Sequence, residues 1–142
     1  MNHSPVQAAP ITFSYDGSAH RRIVTFRGAI SDRELLDAYE SLLGDPGYDA
    51  STDDFIDLRD VTHMGVTSVG LHRLIAMFDE RDSPGHITRT AIYAPTDVLY
   101  GVSRMFQTMR GEGHPDLLEV FRTIEQALAW LDRNDIAIGA VG

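Results

Sequence analysis

The hydrophobic positions of this chain switch between a period of two, typical of strands, and the wider spacing typical of helices. Apolar residues alternate at 11–15 and recur at 22–27, and the turn residues 16–18 between them predict a β-hairpin. Ser31 and Glu34 then match a capping box, in which the two side chains reciprocally satisfy orphan amides at the start of a helix. The apolar face that follows, ended by a glycine and a proline, predicts a first helix.

The rest of the chain repeats this alternation of strand and helix patterns. The pattern predicts, in order, a buried strand at 54–58, a loop from Arg59 to Val66, a helix through 71–78 that ends near Ser83 to Gly85, a strand from Ile87 to Ala94, a helix capped by Thr96 and ended by Gly111 and Gly113, a strand at 118–121 and a helix capped by Thr123. We therefore expect an α/β domain with a five-stranded mixed, mainly parallel sheet, an N-terminal β-hairpin and about four helices. The domain is expected to span residues 11–133, between a flexible arm at 1–10 and a C-terminal tail at 134–142.

Composition narrows the class of protein. A length of 142 residues with 43% hydrophobic content suits one domain with its own core, and no apolar run reaches the roughly 20 residues that a membrane-spanning helix needs. The first residues lack the basic and apolar regions of a signal peptide. The chain has no cysteine, which excludes disulfides, thiolate catalysis and cysteine-bound zinc and suits a cytoplasmic protein.

The charge of the chain bears on its partners. The net charge of −9, from 21 acidic and 12 basic side chains, repels phosphate backbones and anionic membrane surfaces. We therefore expect neither a nucleic-acid partner nor membrane insertion. A homodimer is also considered, because small domains with an exposed sheet edge pair readily and the tail segment Ile136–Val141 adds apolar surface.

The segment from Gly65 to Gly70 has the glycine spacing of a phosphate-binding loop between a strand and a helix. Leu71 and His72 follow, however, where that motif requires a lysine and a hydroxyl residue, so nucleotide hydrolysis is not expected. The six histidines include no pair at i, i+4, so the helical zinc signature is absent, and neither a metal nor a cofactor is predicted.

Two further sets of residues are candidates for chemistry or binding. The constellation that would suit an enzyme is Asp57, Arg59 and His63, provided that the three side chains converge. A pocket between a helix and the sheet, suited to a small apolar ligand, would be lined by Tyr100, Arg104, Met105 and Phe106. At helical spacing the apolar residues of this second set also suit a packed core.

The segment Phe55–Leu71, which reads FIDLRDVTHMGVTSVGL, resembles the STAS domain family of anti-sigma-factor antagonists such as SpoIIAA. Residues Tyr100–Phe106, Val120–Arg122 and Glu125–Leu131 resemble a bacterial SpoIIAA-like branch labelled STAS/SEC14, a label that suggests an apolar ligand. The resemblance covers residues 11–132 and implies a STAS-like fold. It also implies a non-catalytic module that binds a protein partner.

In that family a signature Asp-Ser-Ser-Gly opens a helix, and phosphorylation of its second serine switches partner binding. Gly65 and Val66 replace the first two residues of the signature here, Thr67 stands at the phospho-acceptor position, and Ser68 replaces the glycine. A hydroxyl is therefore retained, but the acidic residue beside it in the sequence is not.

The position of Thr67 supports two interpretations. We expect Thr67 to be the N-cap of its helix with Ser68 as the first helical residue, a place where free amides and the helix dipole favour a bound or covalent phosphate. Thr67 and Ser68 are thus the candidate phospho-acceptor or anion-binding residues, although Thr67 also suits a purely structural cap. The predicted interaction loop beside them runs from Asp60 to Ser68, and its candidate contact residues are Arg59, Asp60, His63 and Met64.

Overall fold

The computed structural model describes residues 9–81, 88–111 and 117–133. Its elements are, in chain order, β1 (Ile11–Asp16), β2 (Arg21–Ser31), α1 (Asp32–Leu43), β3 (Asp53–Gly65), α2 (Ser68–Arg81), β4 (Arg89–Tyr93), α3 (Asp97–Gly111), β5 (Leu117–Phe121) and α4 (Ile124–Asp132). This order is the one that the hydrophobic pattern predicts. Several predicted features lie outside the described residues: the helix ends at Ser83 to Gly85 and at Gly113, the strand start at Ile87, most of the arm and the tail from 134.

The five strands form one sheet in which neighbours in sequence are also neighbours in space, in the order β1-β2-β3-β4-β5. β1 and β2 form the predicted antiparallel hairpin, and every later pair is parallel. The mixed, mainly parallel sheet with an N-terminal hairpin is therefore confirmed. Because parallel strands end at the same edge, the helices that follow β2, β3 and β4 all begin at one edge of the sheet.

The two faces of the sheet carry separate cores. On one face, α1, α2 and α3 pack against alternate strand residues such as Val24, Leu58 and Ile92. On the other face, α4 packs its own apolar side against Phe55 and Ala91. The periodicity of α4 predicts an apolar side but not which face of the sheet it covers.

Arg89, the first residue of β4, fixes the end of α4 to the sheet. Its guanidinium is buried and donates hydrogen bonds to the backbone oxygens of Trp130 and Arg133, both at 2.7 Å. It also lies over the Trp130 ring, 5.5 Å from the centroid. A positive charge at the carbonyl end of a helix is electrostatically favourable and satisfies acceptors that have no intrahelical donor.

The predicted loop from Arg59 to Val66 is wrong, because β3 continues to Gly65. Most of this extension pairs with β2, whose last residue Ser31 lies opposite Gly65. The register shifts twice, and at each shift β3 has one residue more than β2, which is the pattern of a β-bulge. These extra residues break the alternation of polar and apolar positions, so the strand reads as a polar loop in the sequence.

Candidate functional site

The start of α2 is joined to the start of α1 by hydrogen bonds between Thr67 and Asp32. The Thr67 backbone N–H donates to Asp32 Oδ1 at 2.8 Å, and the Thr67 hydroxyl donates to Asp32 Oδ2 at 2.5 Å. The same hydroxyl oxygen accepts the Gly70 N–H at 3.3 Å, so Thr67 is the N-cap of α2, as predicted. We call Asp32, Thr67 and Gly70 the α1–α2 junction.

Local sequence explains why the helices meet so closely at this junction. A side chain at Gly70 would place its Cβ 2.0 Å from Asp32 Oδ1 and 3.0 Å from Asp32 Cβ, so only glycine leaves room for the Asp32 side chain. A Cβ at Gly65 would lie 3.2 Å from the carbonyl oxygen of Ile30. The two glycines that have the spacing of a phosphate-binding loop are therefore explained by close packing against β2 and α1.

Three of the described helices have a threonine cap of the same local geometry. The hydroxyl oxygens of Thr67, Thr96 and Thr123 each accept the N–H of the third helical residue at 3.3 Å. Of these three hydroxyls, Thr67 alone donates to a carboxylate within the described part of the chain. The capping role is thus shared, whereas the bond to Asp32 is particular to Thr67.

The junction brings the positive ends of two helix dipoles together, with the Asp32 carboxylate at both. Asp32 is the first residue of α1, and its two oxygens hold the N–H and hydroxyl of Thr67. The place that an external anion would take at the start of α2 is therefore filled by the chain's own carboxylate. A free anion would have to displace Asp32, which weakens the anion-binding interpretation. The acidic neighbour that the sequence motif lacks is supplied by a residue 35 positions away.

The surface around the junction is accessible and partly apolar. Thr67 and Ser68 are exposed, and the next residue, Val69, retains 57% of its surface. Val98, in the first turn of α3, is 64% exposed. Because α2 and α3 begin at the same edge of the sheet, both valines lie at that edge and would suit contact with another protein.

The candidate contact residues of the predicted loop lie on β3. Arg59, Asp60 and His63 are exposed, and Met64 is half-buried against the main core. They extend along the β2–β3 ribbon that leads to Thr67. They therefore lie near the junction as predicted, although they belong to a strand rather than to a loop.

The enzyme-like constellation is not assembled. Arg59 binds the buried Asp57 carboxylate through Nε at 2.9 Å and Nη2 at 2.8 Å, and this contact raises the pKa of Arg59. His63 lies opposite Ala29, four β2 residues beyond the partner of Asp57, which is about 13 Å along the strand. Within the described residues His63 makes no hydrogen bond or ion pair to either. The three side chains therefore do not converge, and the expectation of an enzyme that uses them is wrong.

The residues proposed to line a ligand pocket mostly belong to the main core. Phe106 is 9% exposed within that core, Met105 and Tyr100 pack against it, and Arg104 is exposed. An open cavity of about 390 Å³ lies elsewhere, at the far end of α1, with Leu43, Tyr48 and Arg81 among its walls. The described helices include none with the length and apolar character required to cross a membrane. In the same ranges, no three His, Asp or Glu side chains are grouped as a metal site.

Comparison with known proteins identifies the fold. No protein-family model matches the chain. No curated protein matches it in sequence. Among solved structures, it is similar to an uncharacterised protein of the DUF3478 family with a SpoIIAA-like fold from Shewanella loihica PV-4, at 15% identity and a TM-score of 0.53. The similarity covers 92% of this chain and 99% of that one. The chain therefore has a SpoIIAA-like fold, as the sequence resemblance implies.

Proposed function

We propose that this domain is a non-catalytic, STAS-type interaction module whose partner binds at the α1–α2 junction. The observation that carries the proposal is the exposed Thr67 hydroxyl, which caps α2 and donates to Asp32. Exposed apolar side chains at Val69 and Val98 on the same edge provide contact area for a protein. Such contacts are typical of the centre of protein interfaces, where apolar side chains exclude water.

Phosphorylation of Thr67 would regulate this surface by a definite physical route. A phosphate on the hydroxyl oxygen removes the proton that Asp32 accepts and adds a charge of about −1.5 to −2 beside that carboxylate. The start of α2 tolerates the new charge because of its dipole, whereas Asp32 is repelled. The modification would therefore move Asp32 and change the charge of the partner surface while leaving α2 capped.

A comparison of two aspartate variants tests the proposal. Thr67→Asp introduces a charge beside Asp32, while Thr123→Asp introduces the same charge at the matched cap of α4. Aspartate is itself a good N-cap, so both variants should keep their helices. Each variant and the unmodified protein are immobilised, and proteins retained from extracts of the source cells are quantified by mass spectrometry.

The expected result is a partner that the unmodified protein and Thr123→Asp retain equally and that Thr67→Asp retains at least tenfold less. Equal retention by all three baits would contradict a partner surface at the junction. A second pair, Val69→Ser and Val98→Ser, tests the apolar contacts without a charge, and each should weaken retention of the same partner.

A further inference from the structure

The outer edge of β1 presents unpaired backbone groups, and the phase of its ladder identifies them. Arg27 N–H donates to the Pro10 carbonyl at 2.7 Å, so Pro10 and Arg27 form a hydrogen-bonded pair. Antiparallel pairs alternate, so Thr12 and Ser14 bond to β2, and the groups of Ile11, Phe13 and Tyr15 point away from it. In the described part of the chain, no strand pairs with β1 on that side.

At the other edge of the sheet, a side chain occupies one of the outward-pointing backbone groups. The bonds from Leu117 N to Thr88 O and from Ala94 N to Phe121 O show that the backbone N–H and C=O groups of odd-numbered β5 residues point toward β4. The Leu118 carbonyl therefore points outward, and Gln107 of α3 donates to it at 2.7 Å. Occupying an edge carbonyl in this way is a means of preventing further strand addition.

We propose that β1 pairs antiparallel with β1 of a second copy about a two-fold axis at Phe13. In this register Phe13 lies opposite Phe13 of the second copy. Ile11 of each copy lies opposite Tyr15 of the other. The residues that point outward are those that form hydrogen-bonded pairs in the new ladder, two bonds at Phe13 and four at the two Ile11–Tyr15 pairs. The edge is thus self-complementary, as a two-fold interface requires.

Side chains and charges agree with this register. Tyr15, 58% exposed in one copy, would lie opposite Ile11 of the other. Because Ile11 is buried in its own core, the Tyr15 ring would supply most of the new side-chain contact at this pair. Asp16 is the charged residue of β1, and it would face Pro10 of the second copy. The two Asp16 side chains would lie six positions apart, about 20 Å, so no like charges meet at the edge.

The size and charge of the molecule set the strength of the pairing. One six-residue edge buries less than the roughly 800 Å² per partner of a standard stable interface, so we expect a reversible dimer. The net charge of −9 on each copy opposes association at long range, and added salt should strengthen the dimer by screening it.

Engineered cysteines test the register directly, because the chain has none of its own. Thr12 and Ser14 of opposite copies would form non-hydrogen-bonded pairs with Cα atoms about 4.5 Å apart, within the range that a disulfide spans. The variant Thr12→Cys with Ser14→Cys should oxidise to a covalent dimer. Each single cysteine variant would face a hydroxyl residue, and the matched β5 pair, Leu117→Cys with Glu119→Cys, lies at the other edge.

We expect the protein to show a dimer fraction that rises with concentration and salt in sedimentation equilibrium. The β1 double variant should give at least tenfold more covalent dimer than the single variants or the β5 pair, and reductant should reverse it. A protein that stays monomeric at every concentration, with no excess crosslink at β1, would overturn the proposal. A dimer in which β1 does not crosslink, while circular dichroism shows an intact fold, would overturn it equally. None of these residues belongs to the α1–α2 junction, so this result is independent of the partner experiment.

Discussion

Substitution of Gly70 by alanine should destabilise the protein, whereas the same substitution should be neutral or stabilising once the Asp32 side chain is removed. In the unmodified protein the new Cβ would lie 2.0 Å from Asp32 Oδ1, so the Asp32 side chain must leave its two hydrogen bonds to Thr67. At this partly exposed place each bond contributes about 1 kcal/mol, and alanine in a helix returns about 0.5–1 kcal/mol relative to glycine. Gly70→Ala should therefore destabilise the protein by about 1–1.5 kcal/mol.

In the Asp32→Gly background, all three of the closest contacts to the new Cβ are absent. Gly70→Ala should then be neutral or stabilise by up to about 1 kcal/mol, which gives a coupling energy of about 2 kcal/mol between the two positions. Gly101→Ala is the control, because this exposed position in α3 has no atom within 4 Å of an added Cβ. It should stabilise both backgrounds by about 0.5–1 kcal/mol.

The free energies are measured by urea unfolding, followed by circular dichroism and by the fluorescence of the single tryptophan. Equal stabilisation by Gly70→Ala and Gly101→Ala in the unmodified protein would refute the close approach of the two helices. A loss that is the same with and without the Asp32 side chain would refute the assignment of that side chain as its cause.

Three other results are expected. Hydrogen bonds from the Ser31 hydroxyl and N–H hold the pKa of Glu34 below its ordinary value of 4.5. The stability that these bonds give is therefore present above pH 4.5 and is lost as the pH falls through the lower pKa of the folded state. Glu34→Gln should reduce this loss in urea titrations across the acid range. Arg89→Ala removes the guanidinium donor from the Trp130 and Arg133 carbonyls and, within the described residues, leaves the Trp130 carbonyl with only the 3.4 Å bond from Arg133 N–H. It should cost about 3 kcal/mol and shift the Trp130 emission to the red, whereas unchanged emission would contradict the anchoring role. Gln107→Ala frees the outward carbonyl of β5 and should add a larger oligomer in light scattering, and self-association identical to the unmodified protein would contradict its blocking role.

Local sequence signals predict most of the fold. Alternation identifies the hairpin, and the residues Ser31, Thr96 and Thr123 mark the starts of three helices, because each side chain acts on a backbone group within its own turn. The length of β3 is not predictable in this way. Its extension is held by pairing with β2 through two bulges, and bulges remove the period on which strand prediction depends.

The junction shows the same division between local and distant causes. The sequence predicts that Thr67 caps α2, since the cap contacts a residue three positions away. It does not predict the partner of the hydroxyl, because Asp32 is brought there by the packing of α1 against α2. Gly70 likewise reads as part of a phosphate-loop spacing, whereas its role depends on the same distant side chain.

We propose that Thr67 has a regulatory role beyond the capping role it shares with Thr96 and Thr123. The most direct test is the phosphate occupancy of these three threonines, mapped by mass spectrometry on protein purified from its own organism under several growth conditions. A regulatory role predicts phosphate at Thr67 in at least one condition, with Thr96 and Thr123 unmodified throughout. An unmodified Thr67 in every condition, or equal phosphate on all three caps, would contradict it.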